Sequence, residues 1–288
     1  MSGIKTFVSL FISIVLILTF VGCGEPVAQS EPDSQKESSN VSSKVSSNTS
    51  SKLTAYQIKQ KTKVNIMPLG DSLTQGGQHK TSAYRGYLST MLKDGGHNSV
   101  FVGCHNWSYD SIRDGNWMHS GFGGATVKSL SNELESMKDC NPDIILLMIG
   151  RNDNTKGISA EQTVKDMDEL LINKLYEMFP DVHIFLANPP PDRMYNGAET
   201  LNNNDIVIRD FLPAYRQYVE DKKAQGAKID FVEMTAETTG IVWQDFTADD
   251  FVHPLPEGYE KLAKCWYNAI KDTVIAIQTQ KENQLFKQ

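Results

Sequence analysis

The run DIILLMIG, residues 143–150, is apolar at almost every position and shows no alternation. A strand covered on both faces gives that pattern, because neither row of its pleat meets water. Similar runs occur at residues 64–69, 99–103, 182–191 and 227–234. The fourth is stopped by Pro189, Pro190 and Pro191, which cannot donate to a ladder. Between the runs the apolar period becomes helical, over residues 84–93, 127–138, 160–178, 205–225 and 257–276. In residues 160–178 one stripe carries Leu170, Leu171, Leu175 and Met178. Repeated strand–helix alternation predicts an α/β fold, a five-stranded parallel sheet with helices on both faces. Right-handed crossovers make it a three-layer α/β/α sandwich, with the strand order taken as flavodoxin-like.

The amino-terminal pattern is different. Lys5 precedes an apolar run over residues 7–22, short for a membrane span and suited to a signal-peptide core. It ends Phe20-Val21-Gly22-Cys23, which resembles a bacterial lipobox with Cys23 as the lipidated thiol. An ordinary secretory signal is the alternative, and an uncleaved anchor a third option. Ten of the twenty-two residues from 30 to 51 are Ser, a composition that buries too little apolar surface to fold. The expected organisation is a signal peptide over 1–22, a tether over 23–52, a folded domain over 53–280 and a polar tail over 281–288. The chain is then an exported cell-surface lipoprotein held to the membrane through Cys23, or else secreted.

The 288 residues are 40% hydrophobic, enough to bury the core of one α/β domain. The formal charge is −7 with Lys and Arg scattered, so nucleic acid is not an expected partner. After Cys23 three cysteines remain, Cys104, Cys140 and Cys265, an odd number without zinc-like spacing. Cys104 and Cys140 are expected at opposite ends of the sheet. All three read as buried small residues.

In such sheets ligands bind beyond the carboxyl ends of the strands, where strand order reverses. The stretch MPLGDSLTQGG, residues 67–77, puts Ser72 just past the first strand, and Arg151-Asn152-Asp153 follow the third. The assumed order makes those two loops neighbours. Ser72 is either a turn residue or a nucleophile, and a nucleophile needs a base. Of the six histidines, His79, His97, His105, His119, His183 and His253, His183 opens a strand and reads as structural, and His97 reads as solvated in its turn. His105 and His119 are too isolated to be metal ligands. His253 lies in TADDFVHPLPEGY, three residues after Asp250, close enough for the carboxylate to fix the imidazole tautomer. The loop of about twenty residues before His253 can span the roughly 14 Å of three strand spacings. A connection of that length without regular structure is usually functional.

With these residues in order, the chain resembles the SGNH (GDSL-type) hydrolases over about residues 63–267. GDSLTQG is similar to the first block, SGFGGAT to the second, IGRND to the third and DFVHP to the fifth. The resemblance implies Ser72 as nucleophile, Asp250 and His253 as its partners, and an oxyanion hole from Ser72, Gly124 and Asn152. Gly121 and Gly123 compete for the glycine role. Asp71 and Asp153 read as structural, bonding loop backbone. Arg151 either contacts substrate or faces solvent. Leu255 departs from the Asn common after His-Pro, a change expected to touch loop packing. No cofactor or metal is implied.

The first block, YRGYL, VFVG and HPLPEGY are most similar to carbohydrate esterases of family three, the acetylxylan esterases, with Met67 where Leu is common. The implied partner is an acylated carbohydrate. Trp107, Trp117 and Trp243 are candidate substrate contacts that could equally plug the core. The rival readings are a lysophospholipase or thioesterase, an esterase of wall glycans, and a lipoprotein that binds glycan without turnover.

Overall fold

The computed structural model describes residues 53–109, 116–193, 199–201 and 207–287. The expectations for Cys23, for residues 1–52 and for part of the loop after Cys104 lie outside these.

The chain enters through α1 (Ala55–Lys61), whose Thr54 and Gln57 form a reciprocal cap. β1 (Val64–Gly70) leads into α2 (Ser72–Gln75) and α3 (Tyr84–Asp94). β2 (Ser99–Phe101) and β3 (Ser120–Gly121) precede α4 (Val127–Ser131). β4 (Ile144–Met148) is followed by α5 (Arg151–Thr155) and α6 (Ala160–Asp166). A π-helical stretch, Met167–Ile172, joins α6 to α7 (Asn173–Met178). β5 (His183–Ala187), α8 (Leu212–Ala224), β6 (Ile229–Val232), α9 (Ala236–Thr239) and α10 (Pro256–Leu285) complete the order.

The strands run β2-β1-β4-β5-β6, all parallel, with β3 pairing the end of β1 beyond β2. This is the expected flavodoxin-like order with one short strand added. Ile66 to Gly70 pair with Ile144 to Met148, so the loops after β1 and β4 are side by side.

Side chains of β4 alternate between two cores. Ile144, Leu146 and Met148 pack with Leu88, Leu92, Trp266 and Ile270 on one face. Ile145 and Leu147 pack with Val127, Leu171, Leu175 and Tyr215 on the other. The sheet is thus the middle layer of a three-layer α/β/α sandwich, and both faces of β4 are dry, as its uninterrupted apolar run requires.

Three elements differ from the pattern-based expectation. Residues 127–138 break into α4 and a short 3-10 turn, Leu134–Met137. In residues 160–178 the buried positions are Ala160, Thr163, Met167, Leu171, Ile172 and Leu175, while Leu170 and Met178 are half-buried. The wider π turn rotates the register and brings Ile172 inward in place of Leu170. α10 runs to Leu285, past the expected end at 276 and into the stretch expected as a polar tail. Lys281 holds its later turns on the sheet by donating to Asp143 Oδ2 at 2.6 Å and to the Lys63 carbonyl at 2.8 Å.

Candidate active site

Ser72 is the first residue of α2, directly after β1. Asp71 caps that helix by accepting from the Leu73 N–H at 2.9 Å. Burial pushes the Asp71 carboxyl up to about 7, against the Leu73 N–H and the Arg151 charge, which favour ionisation. Behind the helix, buried Arg85 donates to the carbonyls of Thr74, Gln75 and Trp117 at 2.9, 2.9 and 2.7 Å. These are the carbonyls α2 cannot satisfy itself and one from the next loop.

The structure brings His253 to Ser72 across 181 residues of sequence. Its Nε2 lies 2.8 Å from Ser72 Oγ. Its Nδ1 lies 3.0 and 2.9 Å from the two oxygens of Asp250. Asp250 Oδ1 also accepts the N–H groups of His253 and Val252 at 3.0 and 3.2 Å. Partial burial raises the Asp250 pKa, but these donors and the His253 charge outweigh it and hold the carboxyl below its ordinary value. The carboxylate is therefore ionised where it faces the imidazole. From the side of α2, His79 Nε2 comes within 3.1 Å of the His253 carbonyl and 3.6 Å of Asp250 Oδ2.

Asn152 is the second residue of α5, beyond β4. Its Nδ2 donates to the Ala125 carbonyl at 2.9 Å and reaches Asp71 Oδ2 at 3.3 Å. The turn into α5 depends on Gly150, with φ +114 and a position where a Cβ would stand 2.2 Å from the Tyr215 hydroxyl. Gly124 lies in the loop from β3 to α4. It is exposed, has φ +74, and has nothing within 4 Å of an added Cβ. At Gly121 a Cβ would fall 2.5 Å from the Gln75 backbone nitrogen, and at Gly123 2.5 Å from the Gln75 side-chain oxygen. Of the three glycines, Gly124 alone faces open space. Asp153 accepts from the N–H of Val127, the first residue of α4, at 3.1 Å, so Asp71 and Asp153 both bond backbone at helix starts where loop backbone was expected.

Of the other candidate residues, some depart from expectation. Arg151 is buried, donating to the Pro190 carbonyl at 2.9 Å and pairing with Asp192 at 3.2 Å. It faces neither solvent nor an open site; it braces the start of α5, which carries Asn152. Trp117 is 39% exposed. Trp107 is half-buried, edge-on to His119 and Tyr109, and Trp243 is half-buried beneath the Arg193 guanidinium. None of these three is a core plug. His97 is half-buried: its Nε2 lies 3.3 Å from the Tyr267 hydroxyl, and partial burial lowers its pKa. His183 pairs with Asp230 at 2.7 Å, a structural contact at the sheet.

Cys104, Cys140 and Cys265 are free and only half-buried, not the fully buried residues expected. Val102 and Gly103, just before Cys104, line the same surface cavity as Cys140. Burial and then the neighbouring Cys104 push the Cys140 thiol up to about 11. The two are therefore near one another, not at opposite ends of the sheet. β2 stops at Phe101, and the chain beyond it runs beside the turn that leads to Cys140. Among the described residues no group of three His, Cys, Asp or Glu side chains could hold a metal ion. No described helix is long and apolar enough to cross a membrane.

A parallel sandwich that presents a hydroxyl, an imidazole and a carboxylate in series beyond its strand ends has an arrangement that acyl-transfer enzymes use on several unrelated folds. The chain belongs to the GDSL-like lipase/acylhydrolase family, whose model its residues 69–261 match. It is 31% identical over 234 residues to a multidomain esterase of Ruminococcus flavefaciens, covering 72% of this chain and 28% of that protein. The chain therefore spans little more than a quarter of this relative's length. Among solved structures it is similar in fold to a Clostridium thermocellum family 3 carbohydrate esterase, with TM-score 0.61 and 24% identity over 75% of this chain and 99% of that one. A carbohydrate esterase family 3 structure from Talaromyces cellulolyticus gives 0.62 and 19% over 74% and 99%.

Two contributors were not legible in the sequence. His79 was one histidine among six with no motif around it. Arg85 lies within YRGYL, but nothing in that pattern shows that its guanidinium closes the end of α2.

Proposed function

We propose that the protein is a serine esterase that removes O-acetyl groups from a polysaccharide such as xylan. The observation that carries this is the 2.8 Å contact between Ser72 Oγ and His253 Nε2, with Nδ1 held by Asp250. Ser72 Oγ attacks the ester carbonyl while His253 takes its proton, and Asp250 keeps the imidazole in the tautomer that can accept it. The oxyanion then meets the N–H groups of Ser72 and Gly124 and the Asn152 amide. His253 returns the proton to the leaving alcohol, water repeats the sequence on the acyl-enzyme, and acetate leaves.

The choice of substrate rests on the sequence resemblance to family three carbohydrate esterases, on the relative named a multidomain esterase and on Trp107, Trp117 and Trp243, which stay partly exposed in loops after β2 and β6. Export with a lipid on Cys23 belongs to the same proposal and rests on the lipobox-like sequence and the Ser-rich stretch after it. The test is a rate comparison on acetylated xylan, p-nitrophenyl acetate and p-nitrophenyl palmitate, with Ser72→Ala as control. Serine-dependent acetate release from xylan with little palmitate cleavage is expected. Preference for palmitate would overturn the carbohydrate reading in favour of a lipase. Silence on all three would point to a wall glycan or to binding alone.

A further inference from the structure

His253 is gripped twice by a single short segment. Ser72 holds the tip of its ring, and His79, seven residues further on, holds its main-chain carbonyl. We propose that His79 is a positioning residue for the Ser72–His253 pair, clasping the loop that carries Asp250 and His253 onto the segment that carries the nucleophile. This rests on the assignment of Ser72 and His253 given above.

The chemistry of the contact fixes its direction. A carbonyl oxygen only accepts, so His79 Nε2 must carry a hydrogen and donate it. The same N–H points into the neighbourhood of Asp250 Oδ2, 3.6 Å away. The ring therefore meets both ends of the Asp250–His253 unit that face the nucleophile segment. Its side chain is 19% exposed, well enough enclosed for the bond to be held.

The backbone around His79 points the same way. His79 and Lys80 adopt φ +52 and +56, left-handed conformations that non-glycine residues rarely hold in succession. Such strain persists where surrounding contacts over-determine it, and it gathers at functional sites. Here the turn is closed by the Gly77 N–H on the Thr81 carbonyl at 2.8 Å and the Lys80 N–H on the Gly77 carbonyl at 3.3 Å. The Tyr109 ring covers Gly77, 3.0 Å from where a Cβ would sit. The strained turn is what aims the His79 ring at the His253 backbone.

The base loop needs such a hold. Between β6 and α10 it contains only α9 and the three-residue 3-10 turn Trp243–Asp245. The described backbone bonds near His253 include the Arg193 N–H on the Phe251 carbonyl at 2.9 Å and the Leu255 N–H on the Asp245 carbonyl at 2.6 Å. Neither connects it to the nucleophile segment. Phe246 of this loop shares a buried cluster with Leu73 and Tyr84, and His79 adds a directional hydrogen bond close to the reacting pair, where the distance from base to nucleophile is set. A loss of registration on the scale of 1 Å costs on the order of 10²-fold in rate.

The test compares His79→Leu with His79→Gln in the whole chain. Both side chains occupy the left-handed position at similar strain, but only the Gln amide can donate where Nε2 did. The readouts are kcat and KM on p-nitrophenyl acetate, the second-order rate at which a fluorophosphonate labels Ser72, and the thermal midpoint. The Leu variant should lose about 10- to 100-fold in kcat and in labelling rate with KM within about threefold, and Gln should restore most of both. Should the Leu variant fail to fold, His79→Asn takes its place, because Asn tolerates positive φ but its shorter amide cannot reach the carbonyl. Wild-type rates in the variants lacking the donor would overturn the proposal. So would a Gln variant as slow as Leu with the same fall in midpoint, which is the signature of packing alone. If the wild-type chain neither turns over ester nor is labelled at Ser72, the assignment beneath the proposal fails, and the proposal with it.

Discussion

The side-chain amide of Asn152 bonds the carbonyl of Ala125 at 2.9 Å, tying the loop after β4 to the loop that presents Gly124. One hydrogen of Nδ2 is thereby committed, and the other turns toward Asp71 at 3.3 Å, a long contact that a stronger acceptor can displace. An oxyanion beside Ser72 is such an acceptor. Asn152→Ala should lower kcat by about 10²–10³-fold, with a smaller effect on KM. Steady-state kinetics on p-nitrophenyl acetate check this. A change confined to KM would mean that the amide binds substrate without stabilising the transition state.

Arg85 gives a prediction about stability. Three carbonyls, of Thr74, Gln75 and Trp117, depend on one fully buried guanidinium. Arg85→Met keeps the volume and removes every donor. Leaving buried acceptors unpaired should cost about 3–5 kcal/mol, a fall of about 10 °C in thermal midpoint for a domain of this size. Arg85→Lys should recover little, because one ammonium does not reproduce the planar fork. Calorimetry of the three proteins decides it.

Asp71 makes stability depend on pH in an unusual direction for a carboxylate. Burial raises its pKa from 3.8 to about 7 in the folded protein. Between those values the folded state holds a proton that the unfolded state has released, so stability falls as pH rises through the window. Burial raises the Asp153 pKa as well, which adds in the same direction. Asp71→Asn keeps an acceptor for the Leu73 N–H but cannot titrate. The stability difference between wild type and Asp71→Asn should therefore shrink, or turn against wild type, by on the order of 2–4 kcal/mol between pH 4 and pH 7. Urea melts at several pH values measure it; a difference independent of pH would contradict the raised pKa.

Much of this arrangement was legible in the sequence. The unbroken apolar run of β4 gave a strand with two dry faces, and strand–helix alternation gave the parallel order. Together they put Ser72 beside Asn152 before any coordinates. The Asp250–His253 spacing gave the pair, and loop length allowed it to reach Ser72. What the sequence did not show depends on backbone geometry or long-range packing. The π turn that exchanges Leu170 for Ile172 breaks a period that pattern reading assumes constant. Arg151 was open between a substrate contact and a solvent-facing cation because its partners, Pro190 and Asp192, follow a different strand, β5. His79 gained its place from two left-handed residues that no periodicity signals. Cys104 and Cys140 were separated by an idealised sheet, whereas β2 is only three residues long.

The central claim is that Ser72 is a nucleophile activated by His253, and covalent labelling tests it most directly. The wild-type chain, Ser72→Ala and His253→Ala would each be incubated with a fluorophosphonate and the modified peptide identified by mass spectrometry. The account predicts a single adduct on Ser72 in wild type, none in Ser72→Ala, and labelling slowed by at least about 10²-fold in His253→Ala. An adduct on another residue, or wild-type labelling in His253→Ala, would contradict it.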